Sequence, residues 1–190
     1  MILREKDFDA IVLGTSAGGI EAIKKILPSL PAKLRIPVLI VIHIAPDGSN
    51  LLSEIFSDDT QYSLKEAESG EELREKTIYF APADYHLSVE KNRTLSLSNE
   101  EEVFYSRPSI DVLFESASIA FGKRTLALLC TGANQDGAQG AYKIFQRGGT
   151  VIVQDPQDAD FPTMPESALA LFKPNAVLPL KNIQALLRNL

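Results

Sequence analysis

The sequence predicts an α/β fold: a doubly wound, mostly parallel sheet in a Rossmann-like three-layer arrangement, with an antiparallel hairpin at one edge. Short apolar runs alternate with segments whose apolar residues recur at helical spacing, the pattern of strand-helix-strand crossovers. Residues 37–44 are a nearly continuous run of Val, Leu and Ile, as a strand buried on both faces requires. A length of 190 residues, 45% hydrophobic and 23% charged, suits a chain that buries one sizeable core, so residues 1–190 are read as a single domain.

From the N-terminus, Phe8, Ala10, Ile11, Val12 and Leu13 make a short strand ending at Gly14. Ile20, Ile23, Ile26 and Leu27 then follow at helical spacing up to Pro28. After the strand at 37–44, Ser49 to Phe56 reads as a helix capped by Ser49 or Asn50. The middle third changes character. Ile78 to Phe80, Leu87 to Val89 and Leu95 to Leu97 are short strands, and the turn-prone Glu90-Lys91-Asn92-Arg93 predicts a hairpin added to the sheet edge. Helical periodicity returns over Ser109 to Phe121, with Ile110, Leu113, Phe114 and Ala117 on one face. Thr125 to Cys130 reads as a buried strand, Gly137 to Phe145 as a helix and Thr150 to Gln154 as a strand. Met164 to Phe172 is a helix, Ala176 to Leu180 a short strand and Asn182 to Leu190 a closing helix.

Nineteen Lys and Arg against 25 Asp and Glu leave a net charge of −6 with the signs interspersed, which disfavours nucleic acid or anionic lipid as a partner. No apolar stretch reaches the roughly 18 residues of a membrane span, and Met1 to Asp9 has no apolar signal core, so a cytoplasmic protein without membrane insertion is expected. One cysteine, Cys130, cannot make an internal disulfide, and two histidines, His43 and His86, leave no Cys/His zinc set.

In a doubly wound sheet the working crevice lies at the carboxyl ends of the strands, and three such ends carry chemistry. Gly14-Thr15-Ser16-Ala17-Gly18-Gly19 has the G-x-S-x-G spacing of a nucleophile turn, in which small neighbours expose the hydroxyl and a helix N-terminus faces the developing oxyanion. An anion-binding turn and a plain tight connection stand beside that reading. The dinucleotide variant fails, because Ser16 stands where the second glycine belongs and the next strand ends in His43 rather than an acid. His43 emerges from a buried strand, where a lone histidine is usually structural. Beside a candidate serine it becomes a candidate base. The third end, Thr131-Gly132-Ala133-Asn134-Gln135-Asp136-Gly137, offers Asp136, which reads either as a helix cap or as the acid of a Ser-His-Asp set.

These residues, with His43-Ile44-Ala45-Pro46, Ala81-Pro82, His86-Leu87, Arg107-Pro108-Ser109-Ile110-Asp111-Val112-Leu113-Phe114 and Met164-Pro165, resemble the catalytic domain of the CheB chemotaxis methylesterases from about Phe8 to Leu187. The resemblance implies hydrolysis of glutamate γ-methyl esters on chemoreceptor cytoplasmic helices with release of methanol, extending to deamidation of receptor glutamines, with neither metal nor organic cofactor. It assigns Ser16 as nucleophile, His43 as general base and Asp136 as the acid that orients the histidine. The amides of Ala17, after the nucleophile, and Ala133, on the Asp136 loop, are the oxyanion-hole candidates by position. Another acyl hydrolase or amidase on the same scaffold, or a non-catalytic module that binds signalling proteins, are the alternatives.

Two departures bear on substrate choice: Ala133-Asn134-Gln135 replaces a usual Met-Gly stretch, and Ala159-Asp160-Phe161-Pro162-Thr163 replaces a small apolar segment. Only about eight residues precede the first strand, so no in-chain receiver domain is expected, and a separate receiver protein is an allowed partner. His86 is read as structural or at the rim, and Arg107 as either a substrate contact or an anchor. Cys130 is read as a core residue, and Asp155 and Asp158 as loop residues rather than cation ligands.

Overall fold

The computed structural model describes residues 3–43 and 52–190. The apolar runs become strands β1 (Ala10–Thr15), β2 (Val38–Ile42), β7 (Thr125–Leu129) and β8 (Thr150–Gln154), flanked by β4 (Thr77–Phe80), β3 (Ser63–Glu66) and β9 (Ala176–Leu178). All seven are parallel, in the order β3-β4-β2-β1-β7-β8-β9. The chain runs from β1 to β2, out to the edge at β3 and back to β4 between β3 and β2, then crosses to β7 on the other side of β1. The order reverses at β1, and the ends of β1, β2 and β7 border that switch point.

Alternate side chains of each strand feed opposite layers. Ile11, Leu13, Val38, Ile40 and Ile42 pack with α1 (Gly19–Ile26) and α6 (Leu180–Leu187) on one face. Ala10, Val12, Leu39, Val41, Ala127 and Leu129 pack with α3 (Ile110–Phe121), α4 (Ala138–Gln146) and α5 (Thr163–Leu171) on the other. Burial on both faces is why these strands read as continuous apolar runs. Among the described residues no helix is long and apolar enough to cross a membrane.

The hairpin β5 (His86–Val89) and β6 (Leu95–Ser98) forms as expected, but it is a separate two-stranded sheet rather than an extension of the main one. The flank of β4 that it would have joined is taken by β3. Leu87, Val89 and Leu95 are buried instead in the layer that holds α3. β3 itself was not anticipated: Ser-Leu-Lys-Glu at a partly exposed edge has neither the alternation nor the apolar run of a strand. Of the helix expected over Ser49 to Phe56, the described part is α2 (Leu52–Ile55), and 44–51 lie outside the described residues.

Candidate active site

Gly14 lies near the end of β1 under the first residue of α3, where a β-carbon would overlap the Ile110 side chain. A glycine there lets the α3 N-terminus settle directly on the central strand. The turn that follows places Ser16 one residue beyond β1. Its amide donates to Thr131 O (3.0 Å), and its carbonyl accepts from Gly19 N–H (2.8 Å). The left-handed residue of this turn is Gly18, φ 78°, rather than the serine, so the turn places its positive φ on a glycine that adopts it without strain.

β2 lies beside β1 in register, Thr15 opposite Ile42, and the His43 amide donates to Thr15 O (3.2 Å). Ser16 and His43 are therefore neighbours across the ends of two paired strands. On the other side, Thr131 ties the loops together. Its carbonyl also accepts from Thr15 Oγ1 (2.8 Å), and its hydroxyl donates to Ala17 O (3.0 Å) and accepts from Phe161 N–H (2.9 Å). Its amide donates to Gln154 Oε1 (2.9 Å).

Asp136 is fully buried and meets His43 across 93 residues of sequence, with Nε2 donating to Oδ2 at 2.9 Å. The carboxylate does not cap the helix that follows it, where Gly137 takes the N-cap position. It sits at the N-terminus of α3, where it accepts the amides of Ile110 (2.6 Å) and Asp111 (3.0 Å), the Ser109 hydroxyl (2.8 Å) and the Gly137 amide (3.0 Å). Burial works against its charge, but the His43 hydrogen bond and the α3 amides outweigh it and hold the carboxyl below the usual carboxylate range. A charged Asp136 fixes the hydrogen of neutral His43 on Nε2 and leaves Nδ1 with the lone pair. Asp111, one turn into the same cluster, behaves oppositely: burial, aided by the Asp136 charge, pushes its carboxyl up to about 6 against the Gly140 amide bond.

The amides of Ala17 and Ala133 have no hydrogen-bond partner among the described residues. The Ser16 hydroxyl is likewise without one among the described residues, and His43 Nδ1 is met instead by Ser106 Oγ at 3.3 Å. Ser106 closes a turn in which Phe104 and Tyr105 both have positive φ, 49° and 60°, and Tyr105 is 97% exposed. A two-residue turn of that form usually carries Asn-Gly, and each bulky residue there costs about 1–2 kcal/mol.

Sequence reasoning missed Ser106 and the double use of the α3 N-terminus, and it read Asn134 only as part of a stretch that bears on substrate choice, not as a partner of Ser106 and the Asp136 amide. The motif Ser109-Ile110-Asp111 was legible as a helix start, but nothing in its spacing points to a carboxylate in a distant loop. His86 is a strut: Nδ1 accepts Ser109 N–H (3.1 Å) while Nε2 donates to Glu101 O (3.0 Å). Arg107 is an anchor, clamped on Asp84 (2.6 Å) and on the carbonyls of Asn99 and Glu100. Cys130 is a core residue whose thiol burial pushes up to about 12. Asp158 is a loop brace, accepting Gln154 Nε2 (3.0 Å) and Leu180 N–H (2.7 Å). No group of three metal-ligating side chains occurs among the described residues.

A buried carboxylate gripping an imidazole beside a strand-end serine is the arrangement of a serine hydrolase, here on a doubly wound parallel sheet. The chain belongs to the CheB methylesterase family, whose model matches residues 11–187. A Leptospira interrogans relative (strain Fiocruz L1-130), named for the methylesterase and glutaminase activities, is 45% identical over 180 residues, covering 95% of this chain and 93% of its own. The "Protein-glutamate methylesterase/protein-glutamine glutaminase 2" of Methanosarcina mazei is 36% identical over 187 residues, and there the match spans 94% of this chain but 51% of the relative. The crystal structure of the Thermotoga maritima CheB methylesterase catalytic domain superposes with a TM-score of 0.89 at 31% identity, covering 95% of this chain and 97% of that one.

Proposed function

We propose that this chain, a hydrolase of the CheB family, removes methyl groups from glutamate γ-methyl esters of chemoreceptors, with Ser16 as nucleophile, His43 as base and Asp136 as orienting acid. The observation that carries the residue roles is the His43–Asp136 hydrogen bond of 2.9 Å at the strand end next to Ser16. Ser16 Oγ attacks the ester carbonyl and its proton passes to His43 Nδ1, the nitrogen left free by Asp136. The carbonyl oxygen gains negative charge, to which the amides of Ala17 and Ala133 donate. As the tetrahedral intermediate collapses, the C–O bond to methoxide breaks, Nδ1–H protonates it and methanol leaves. The glutamyl ester on Ser16 is then attacked by water, deprotonated by the same nitrogen, which returns a glutamate carboxylate and the serine hydroxyl.

The same steps with ammonia as the leaving group deamidate glutamine, the second activity named for the relatives. The substrate segment is the cytoplasmic helical region of a methyl-accepting receptor, a cytoplasmic location follows from that partner, and residues 1–190 form one catalytic domain.

Methanol release from methylated chemoreceptor membranes tests the reading. Ser16→Ala is expected to lower the rate by about 10⁶-fold and Asp136→Asn by about 10⁴-fold. Release that survives Ser16→Ala, or no release together with no fluorophosphonate labelling of Ser16, overturns it and favours the binding module.

A further inference from the structure

The base of the proposed mechanism has one lone pair, on His43 Nδ1, and a hydroxyl other than Ser16 stands on it. Four hydrogen bonds form a closed ring. His43 Nε2 donates to Asp136 Oδ2 (2.9 Å), and the Asp136 amide donates to Asn134 Oδ1 (3.2 Å). Asn134 Nδ2 donates to Ser106 Oγ (3.3 Å), and Ser106 Oγ meets His43 Nδ1 (3.3 Å). Because the Asn134 amide fills an acceptor site of the Ser106 oxygen, the Ser106 hydrogen is free to donate, and Nδ1 is the acceptor that completes the ring. A hydroxyl has one hydrogen. The only other acceptor in its reach among the described residues is Phe104 O, at 3.5 Å within the same turn.

We propose that Ser106 is a positioning residue that caps the Nδ1 lone pair of His43 in the resting enzyme, so that Ser16 is activated only when the Ser106 hydroxyl turns from Nδ1 to the Phe104 carbonyl. The placement is enforced by the backbone. Val103 and Ser106 exchange both backbone hydrogen bonds (3.2 and 3.0 Å) around two non-glycine residues at positive φ, which aims Ser106 back at the histidine while Tyr105 projects into solvent. Backbone in a sparsely populated region beside a reacting group is where a positioning role is expected. The inference rests on Ser16 and His43 acting as nucleophile and base.

The test is the rate of fluorophosphonate labelling, with the labelled serine identified by peptide mass, in the parent protein, Ser106→Ala and Ser106→Thr. Labelling of Ser16 is expected to rise about threefold to tenfold in Ser106→Ala, the worth of one neutral hydrogen bond. Ser106→Thr, which keeps the hydroxyl, restores slow labelling. A residue that merely held the loop would slow labelling when removed. Equal or slower labelling in Ser106→Ala, an equal rise in Ser106→Thr, or label on Ser106 itself overturns the cap. Equal labelling of Ser16 in all three leaves the proposed function standing, whereas no label in any of them overturns both.

Discussion

Asp136 and Asp111 bring two carboxyls to the same helix start, one from a distant loop and one from the helix itself, and their surroundings push them in opposite directions. Asp136, held below the usual range, binds fewer protons in the folded state than in the unfolded state. Its contribution to stability is present above about pH 4 and is lost as the pH falls through its lowered value. Asp111, raised to about 6, binds more protons when folded, so its contribution is present below about pH 4 and is lost as the pH rises through 6. Asp111→Asn keeps an acceptor for the Gly140 amide, bonded at 2.6 Å, and removes that loss. Urea denaturation from pH 4 to 7 is expected to show the variant gaining on the parent as the pH rises, by on the order of 2 kcal/mol. Removing Asp136 is different in kind. Asp136→Ala strands the buried Ile110 amide and Ser109 hydroxyl, and unfolding is expected to become easier by about 3–5 kcal/mol, read as a lower urea midpoint. Ser16, His43 and Asp136 were legible because each ends or follows an apolar run. Ser106 was not, since its significance lies in three segments meeting around residues 43, 106 and 134, which no local pattern records.

At the scale of elements, α3 is the member on which the site hangs. Its first residue rests on Gly14, its first amides bind Asp136, and its Ser109 cap takes the struts from His86 and Asp136. Gly14→Ala forces Ile110 away from β1 and drags those amides with it. Stability is expected to fall by about 1–3 kcal/mol by urea unfolding, and methanol release to fall by more than that loss explains, because the carboxylate loses its donors while Ser16 stays in place. Strands buried on both faces were readable from composition alone. The edge strand β3 was not, because a strand exposed along one flank and half-buried on both faces carries no strong period. The hairpin was recognised from its alternation and turn, but its docking was not, since pairing at an edge depends on whether another segment already occupies it.

The main parallel sheet carries a core on each face, and both cores draw side chains from the same strands. Neither layer keeps its packing if the sheet opens, so residues 1–190 are expected to unfold in one transition. Coincident urea curves from tyrosine fluorescence and far-ultraviolet circular dichroism check this, and two separated transitions would speak against a single folding unit. The alternation of strand and helix made this architecture readable from the sequence; the strand order became visible only through long-range pairing.

The hydrogen bond between His43 and Asp136 joins residues 93 apart, across the outward and returning halves of the winding. During synthesis the serine and the histidine are made early, yet the imidazole has no partner to orient it until the carboxylate loop has been translated and β7 has docked on β1. If Ser16 and His43 act as proposed, a chain cut before Asp136 is expected to carry an unactivated hydroxyl. On the proposed roles, ester cleavage is expected only from molecules that have finished folding, so the chemistry would report on the chain's own completeness.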